Sequence, residues 1–306
     1  MFNWFQPKIF NQGYLPEKDG HQVFFMEAGN PKGKPVLVFH GGPGGSAKLR
    51  HAAAFDRKKY RVILFDQRGC GQSLPSGEIK HNTTDDILED AARLLDFLQI
   101  SEKVVIRGGS WGSTLALLFA LKYPERVDCL LLSQIFLADD KAMAWIDEIS
   151  GWFYPDIMEE LQKGLRNGEA LPKAYNEMIN SSDLSEQVRA TAMYGNYERV
   201  LGQLDPILPQ GEVTQKDVEA TRIYLHYMTE NFMLNSEQIM NDIDKIVHLP
   251  TLIVHNRLDM VCPIEGAWRL HKALPKSKLV IVPEKGHSAP LLHKTINKEI
   301  KSFLQQ

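Results

Sequence analysis

The sequence predicts an α/β fold, in which a mostly parallel, doubly wound sheet is interrupted by a helical cap domain. Short β-branched and apolar runs alternate with helical patterns over much of the chain, which is typical of strand-helix-strand units around a parallel sheet. Between about residues 138 and 246, helical segments with many Met and aromatic residues replace the strand patterns. We therefore divide the chain into a core of residues 1–137, a helical cap of residues 138–246 and a second core segment of residues 247–306.

Six short, continuous apolar runs predict strands that are buried on both faces of the sheet. They span residues 36–39, 61–65, 104–106, 129–132, 252–254 and 279–282. Residues 22–26 are expected to add an edge strand. Residues 86–98 keep most of their apolar side chains at helical spacing and carry acidic residues near their start, which predicts a crossover helix.

The composition excludes several classes of protein. Hydrophobic residues make up 43% and charged residues 24% of the 306 positions, a balance that argues for a globular protein with a large core and against disorder. The formal net charge of -3 and the lack of a basic run argue against a nucleic-acid partner or an anionic membrane surface. The three cysteines stand in unrelated contexts, so we expect neither a disulfide framework nor a bound metal.

The expected location is the cytoplasm. The first ten residues, MFNWFQPKIF, lack the continuous apolar stretch of a secretory signal. The longest apolar run, residues 115–121, is too short to span a bilayer.

A glycine-flanked serine joins the third of these strands to a helical pattern. The sequence GGSWG at residues 108–112 fits G-x-S-x-G in the strand-turn-helix context that gives this motif its meaning. The alternative is an ordinary glycine-rich turn. The context favours a nucleophile elbow that presents the hydroxyl of Ser110 above the sheet.

A serine hydroxyl is a weak nucleophile, so Ser110 requires a base, and the base requires an orienting acid. His287 follows the last strand and is the best candidate base, whereas His255 fits a packed core residue and His293 falls in the terminal helix. Asp259 follows the strand at residues 252–254 and is the favoured acid. The alternative acids are Asp139 and Asp140, which follow the preceding strand.

The glycine-rich sequence HGGPGG at residues 40–45 follows a strand and predicts half of an oxyanion hole. Proline has no backbone N–H, so we select the backbone amides of Gly42 and Trp111 as the two donors. The loop lacks the Lys-Ser/Thr ending of a P-loop and the spacing of a dinucleotide fingerprint. We therefore expect no nucleotide cofactor.

Together these motifs resemble the proline iminopeptidases of the α/β-hydrolase superfamily. The matching stretches span nearly the whole core: HGGPGG at 40–45, DQRGCGQS at 66–73, NTT at 82–84, GGSWGSTLAL at 108–117, DMVCP at 259–263 and GHSA at 286–289. The resemblance implies an α/β-hydrolase fold and a serine peptidase without a cofactor. Such an enzyme releases an amino-terminal proline from small peptides, with Ser110, Asp259 and His287 as its triad.

The resemblance also implies that cap glutamates hold the free amino terminus of the substrate. Glu198 follows Tyr197 and matches one of them, although a solvated helix charge is the alternative. The second family glutamate lies in an Arg-Ile-Glu-x-His-Tyr pattern, where this sequence has Tyr224 instead. Phe136, just before the cap, is a candidate for the pocket that binds the proline ring, or a core residue.

Tyr224 keeps a second activity open, because a phenol in place of a carboxylate favours an uncharged acyl group. We therefore weigh an aminopeptidase against a carboxylesterase or amidase that acts on small acyl substrates without a free amine. A relative that keeps only the fold is the third hypothesis, and the apparently complete triad argues against it.

Overall fold

The computed structural model of the chain describes residues 7–163, 165, 169–204 and 212–305. An eight-stranded sheet forms its centre, and the strands are β1 (Ile9–Tyr14), β2 (Phe24–Gly29), β3 (Lys34–Phe39), β4 (Tyr60–Phe65), β5 (Val104–Ser110), β6 (Val127–Ile135), β7 (Thr251–Leu258) and β8 (Ser277–Lys285). The order across the sheet is β1-β2-β4-β3-β5-β6-β7-β8. β1 and β2 pair antiparallel, β2 and β4 likewise, and every later pair is parallel. The predicted α/β fold with a mostly parallel sheet is confirmed.

Helices follow most of the parallel strands. The core helices are α1 (Thr84–Phe97), α2 (Trp111–Lys122), α9 (Ile264–Ala273) and α10 (Pro290–Phe303), and those between β6 and β7 are α3 (Asp140–Ala144), α4 (Pro155–Gln162), α5 (Leu171–Ile179), α6 (Leu184–Gln203), α7 (Gln215–Thr229) and α8 (Gln238–Asn241). Helix α1 begins at a capping box, in which Thr83 and Asp86 bond each other's backbone N–H groups. Helix α2 is buried along nearly its whole length, which its continuous apolar sequence requires.

All six predicted strands are present, but the two edges of the sheet differ from the prediction. Residues 22–26 overlap β2, which is not an edge strand because β1 covers its outer side. The sequence of β1, IFNQGY, is half polar and mostly exposed, so it lacks the apolar signal of a buried strand. β8 forms the opposite edge and is only partly buried, because it has a strand neighbour on one side alone.

Apolar layers cover both faces of the sheet. One face packs against α1 and α2, with Leu94, Leu115 and Ile106 among the buried residues. The other face packs against α10 and a 3-10 helix at Leu49–Ala54, with Val105 and Leu292 in the buried cluster. These two layers hold the carboxyl ends of the parallel strands in fixed positions, where ligand sites of such sheets form.

The described residues between β6 and β7 form helices joined by turns and irregular segments, with no strand among them, as the sequence predicts. It has a small apolar core of its own, which includes Leu161, Tyr175, Tyr194 and Leu225. After α7, residues such as Ile243 pack into the main core instead. The exact cap limits, residues 138 and 246, stay predictions.

The amino-terminal residues 1–6, which belong to the segment judged to lack a secretory signal, lie outside the described residues. Within the described part of the chain, no helix combines the length and the apolar character that crossing a bilayer requires.

Candidate active site

Ser110 lies at the sharp turn between β5 and α2. Its backbone has φ 56° and ψ -132°, a region that a residue other than glycine occupies only under strain. A Cβ atom on Gly108 would lie 2.0 Å from the Gly112 carbonyl oxygen, and one on Gly112 would lie 2.3 Å from that of Phe39. The turn can therefore close only with glycine at both positions, which is the geometric basis of the motif. The half-buried Ser110 lines two cavities.

His287 and Asp259 form a hydrogen-bonded pair beside Ser110. His287 Nδ1 lies 2.8 Å from Asp259 Oδ2, and the other carboxylate oxygen accepts the backbone N–H groups of Val261 and Cys262 at 3.0 and 2.9 Å. These bonds fix the direction of the carboxylate. With Nδ1–H directed at Asp259, Nε2 remains to accept a proton.

The His287–Asp259 contact changes the proton affinity of both partners. Burial alone would raise the pKa of Asp259, but the charge of His287 and its hydrogen bond outweigh burial and lower that pKa. Burial alone would lower the pKa of His287, but the Asp259 carboxylate outweighs burial and raises that pKa above its ordinary value. His287 is thus a stronger base than a free imidazole.

The alternative bases and acids have other partners. His255 is fully buried: its Nδ1 accepts the Ile135 N–H at 3.0 Å, and its Nε2 lies 2.8 Å from the Cys262 carbonyl oxygen. Asp139 caps α3 through the Ala142 N–H and pairs with Arg269. Asp140 is exposed at the start of the same helix. None of these three candidates forms a hydrogen bond to His287 in the described structure.

Backbone and side-chain contacts from three elements hold His287 in place. Its backbone N–H donates to the Gly202 carbonyl oxygen of α6 at 2.7 Å, and its own carbonyl oxygen accepts from Gln134 Nε2 at 2.6 Å. No sequence motif indicates the roles of Gly202 and Gln134, since both act through contacts between distant segments. The cap therefore supports the base directly.

Cys262 is a further neighbour that the sequence patterns did not indicate. Its buried side chain contacts the side chain of Ser110, and burial raises the pKa of the thiol well above its ordinary value. The thiol therefore stays neutral beside the serine. Among the hydrogen bonds of the described residues, none joins Ser110 to His287 Nε2, and such bonds commonly tighten only when substrate binds.

The loop that follows β3 lies against Ser110 and is held by Gln67. The backbone N–H of Gln67 donates to His40 Nε2 at 3.1 Å, and its side-chain amide donates to the His40 carbonyl oxygen at 2.9 Å. Gln67 Oε1 in turn accepts from Trp111 Nε1 at 3.0 Å. One glutamine thus joins both sides of the predicted oxyanion hole.

Gly42 lines the cavity at Ser110, while Trp111 is the first residue of α2. The backbone N–H groups at the start of a helix have no partner within the helix, so that of Trp111 can donate to a substrate oxygen. The arrangement can stabilise an oxyanion above Ser110. The assignment of Gly42 and Trp111 as the two donors stays a prediction.

Other residues of the DQRGCG segment stabilise the loop. Asp66 accepts the backbone N–H groups of Ala47 and Gln72 at 2.7 and 2.8 Å. Arg68 is 1% exposed and forms a two-pronged ion pair with Asp90, at 2.6 and 3.1 Å. Asp66 thus ties this motif to the loop after β3, and Arg68 ties it to α1.

Glu198 and Tyr224 face a cavity of about 280 Å³ that also contains Ser110, His287 and Gly42. Glu198 lies on α6 and Tyr224 on α7, and the Tyr224 hydroxyl donates a hydrogen bond to the Glu198 carboxylate. The structure thus brings these two residues together beside Ser110. We call this space the cap cavity.

The cap cavity raises the proton affinity of Glu198. Burial raises the pKa of Glu198 to about 7, while the Tyr224 hydrogen bond and the charge of His287 oppose that rise. A carboxylate that is desolvated to this degree gains strongly from a cationic partner. The cavity can therefore select a ligand with an ammonium group.

Phe136 does not line the cap cavity. It is buried, its ring packs edge-on against Phe232 with centroids 5.0 Å apart, and it lines a separate cavity of about 390 Å³ next to α3 and α9. Among the described residues, no group of His, Cys, Asp and Glu is arranged to hold a metal ion.

Residues 34–294 match the family model described as the alpha/beta hydrolase fold. Three curated relatives align over most of the chain. They are a probable proline iminopeptidase of Leptolyngbya boryana (38% identity, 91% of this chain and 89% of the relative), a proline iminopeptidase of Arabidopsis thaliana (38%, 92% and 76%) and one of Neisseria gonorrhoeae (35%, 92% and 91%).

Solved structures agree on the fold. An α/β hydrolase enzyme from a Medee basin deep-sea metagenome library superposes with a TM-score of 0.63 at 19% identity, over 96% of this chain and 98% of that one. The esterase RhEst1 from Rhodococcus superposes with the same TM-score at 17% identity, over 96% and 98%. The identity and coverage of the curated relatives confirm the resemblance in the motifs, and the chain belongs to the proline iminopeptidase family within the α/β-hydrolase fold.

Proposed function

We propose that this hydrolase releases an amino-terminal proline, or another small residue, from short peptides through an acyl-enzyme intermediate. The observation that carries the proposal is the position of the Glu198 carboxylate, which faces the same cap cavity as Ser110 and His287. The curated relatives are named proline iminopeptidases, which supports the same activity. An amine-binding acid beside a serine nucleophile is what an aminopeptidase requires.

In the proposed reaction, His287 Nε2 removes the hydroxyl proton of Ser110 as the serine oxygen attacks the carbonyl carbon of the first residue. Asp259 orients the imidazole and stabilises its positive charge. The backbone amides of Gly42 and Trp111 bind the oxyanion. His287 then protonates the departing amine, and water, activated by the same histidine, hydrolyses the ester to release the amino acid.

Glu198 is proposed to bind the ammonium group of the substrate. At neutral pH, the Glu198 side chain is partly protonated and partly ionised in the absence of substrate, because its pKa is about 7. A cationic substrate lowers that pKa by stabilising the ionised form, so binding converts the group to a full carboxylate. The cap cavity of about 280 Å³ fits one small residue, which agrees with a substrate that is recognised at its first position.

The first test is the kcat/KM of purified protein for proline arylamide, N-acetylproline arylamide and a short acyl ester. A strong preference for the free amine is expected, because only that substrate carries the cation that Glu198 would bind. Labelling by a fluorophosphonate, lost in Ser110→Ala, would tie the activity to the serine.

A preference for the blocked arylamide or the ester would instead support the alternative hypothesis, a carboxylesterase or amidase, which the presence of Tyr224 keeps open. Absence of turnover of every amino-terminal arylamide would refute the aminopeptidase. The absence of a nucleic-acid partner and the cytoplasmic location stay predictions.

A further inference from the structure

A second and larger cavity, of about 950 Å³, begins at the same serine. It shares Gly42, Ser110, His287 and Ser288 with the cap cavity. Its other walls are the 3-10 helix at Leu49–Ala54, the end of β5 and the exposed side of α10. A substrate bound across Ser110 would therefore have one part in each cavity. We call the larger space the basic cavity.

Besides His40 and His287, five basic side chains line the basic cavity, and none of the described residues that line it is Asp or Glu. They are Lys48, Arg50, His51, Arg107 and His293. None of the five takes part in an ion pair within the described residues. Burial, and then the neighbouring Arg107, lowers the pKa of His51 to about 3, so this imidazole is neutral. The positive charge therefore comes mainly from the lysine and the two arginines.

Arg107 lies on β5, three residues before Ser110 in the sequence. Its guanidinium donates to the backbone carbonyl oxygen of His51, and burial lowers its pKa to about 10. The side chain thus remains charged at neutral pH, although no carboxylate lies against it. A partly desolvated cation without an anionic partner is costly, and an anion in the cavity would relieve this cost.

A purely structural role for Arg107 would explain less. Its bond to the His51 carbonyl oxygen supports the 3-10 helix, but a neutral donor could make that bond. Lys48, Arg50 and His293 are exposed at the rim and do not share this role. Lys48, Arg50 and Arg107 place positive charge around one space, which points to an anionic ligand.

We propose that the basic cavity is a subsite for a carboxylate on the departing part of the substrate, the terminal carboxylate of a di- or tripeptide or an acidic side chain. This inference rests on the proposed function. Glu198 lines the cap cavity, the unpaired cations line the basic cavity, and Ser110 lines both. A short peptide has the matching charges, an ammonium at its first residue and a carboxylate at its last. The site thus favours small zwitterionic peptides.

The test compares kcat/KM for prolyl-alanine with kcat/KM for prolyl-alanine amide. The same comparison is made between prolyl-alanyl-alanine and its amide. The wild type should favour the free acid of at least one pair by about tenfold or more, as expected for a charge-assisted hydrogen bond in a partly buried site. Prolyl-glutamate amide distinguishes the source of the anion. If its kcat/KM matches that of prolyl-alanine, the subsite accepts an acidic side chain. If its kcat/KM matches that of prolyl-alanine amide, the subsite requires the terminal carboxylate.

Variants then assign the preference to this cavity. Arg107→Met should collapse the ratio of acid to amide, and a general loss of activity cancels in that ratio. Lys48→Gln combined with Arg50→Gln alters only exposed rim residues and should lower the ratio even if the Arg107 variant does not fold. Lys298→Gln removes one exposed positive charge from α10 outside the cavity and serves as the matched control.

Equal kcat/KM for acid and amide in every wild-type pair would overturn the subsite, as would a preference that survives all the cavity variants. Turnover of proline arylamide, which has the ammonium group but no carboxylate, separates this result from a failure of the proposed function. If the arylamide is hydrolysed while acids and amides are not distinguished, only the carboxylate subsite is wrong. If no amino-terminal arylamide is hydrolysed, the aminopeptidase itself is wrong.

Discussion

The half of the site built by the core and the half built by the cap differ in how their residues are fixed. In the core, Ser110 lies in a turn that only glycine neighbours allow, and Asp259 is held by two backbone N–H groups and His287. In the cap, Glu198 and Tyr224 lie on different helices and bond chiefly to each other. The core half is fixed by backbone geometry, whereas the cap half depends on helix packing.

We infer from this difference that the core half carries out catalysis and the cap half recognises the substrate. Chemistry that depends on precise angles is placed where strands end, because the sheet restrains those positions. The proposed recognition residues Glu198 and Tyr224 lie on helices outside the sheet, and α6 also holds the His287 backbone through Gly202. The proposed triad residues are all present, while Tyr224 stands where the family resemblance implies a glutamate, which fits this division. Changes in the core half should therefore abolish the reaction, while changes in the cap half should alter substrate preference.

The largest expected effect is that of Ser110→Ala. Removal of the nucleophile should lower kcat by about a thousandfold or more, since residual turnover then depends on binding and the oxyanion hole alone. Steady-state hydrolysis of proline arylamide measures this loss. Ser302→Ala, which alters an exposed serine in α10, is the matched control and should behave as the wild type. Activity retained in Ser110→Ala would mean that the elbow is not the catalytic centre.

Glu198→Gln should have the next largest effect, and one confined to recognition. Loss of a partly buried charge partner should lower kcat/KM for the free-amine arylamide by about tenfold to a hundredfold. Turnover of a short acyl ester should change far less, because that substrate has no ammonium to bind. Glu177→Gln on the neighbouring helix α5 removes an acidic side chain outside the cap cavity and is the control. An equal loss on both substrates would place Glu198 in the reaction itself rather than in amine binding.

The pH dependence should separate the two halves within one protein. His287 must be neutral to act as the base, so kcat/KM for any substrate should rise with pH through its raised pKa. Glu198 must be ionised to bind an ammonium, so the free-amine substrate should show a second requirement near pH 7. At pH values below both pKa values, kcat/KM should fall about a hundredfold per unit for the amine but about tenfold for the ester.

The Glu198→Gln variant provides the check on this pH assignment. In this variant, the pH profile of kcat/KM should show one ionisation for both substrates, because only His287 then changes charge in the relevant range. Identical acidic limbs for the amine and the ester in the wild type would show that Glu198 does not control binding.

The sequence predicted the core half better than the cap half for a physical reason. The strand-turn-helix around Ser110 and the loops with Asp259 and His287 are local, because a few consecutive residues determine each backbone path. The pairing of Glu198 with Tyr224, and the bond from His287 to Gly202, arise only when α6 and α7 pack over the sheet. Phe136 shows the same limit, since its position before the cap did not reveal that its ring packs on Phe232. β1 escaped prediction because an exposed edge strand needs no continuous apolar run.

The smallest effect, and the sharpest test of how the cap half is tuned, is that of Tyr224→Phe. The Tyr224 hydroxyl stabilises ionised Glu198 and opposes the effect of burial on its pKa. Loss of one hydrogen bond should raise that pKa by up to about one unit, which lowers kcat/KM for the free amine at pH 7 by about twofold to fivefold. The acidic limb of the amine profile should move to higher pH, while the ester profile stays unchanged. Tyr14→Phe, at an exposed tyrosine of β1, is the control. A gain in amine turnover would mean that the phenol competes with the substrate for Glu198 rather than preparing it.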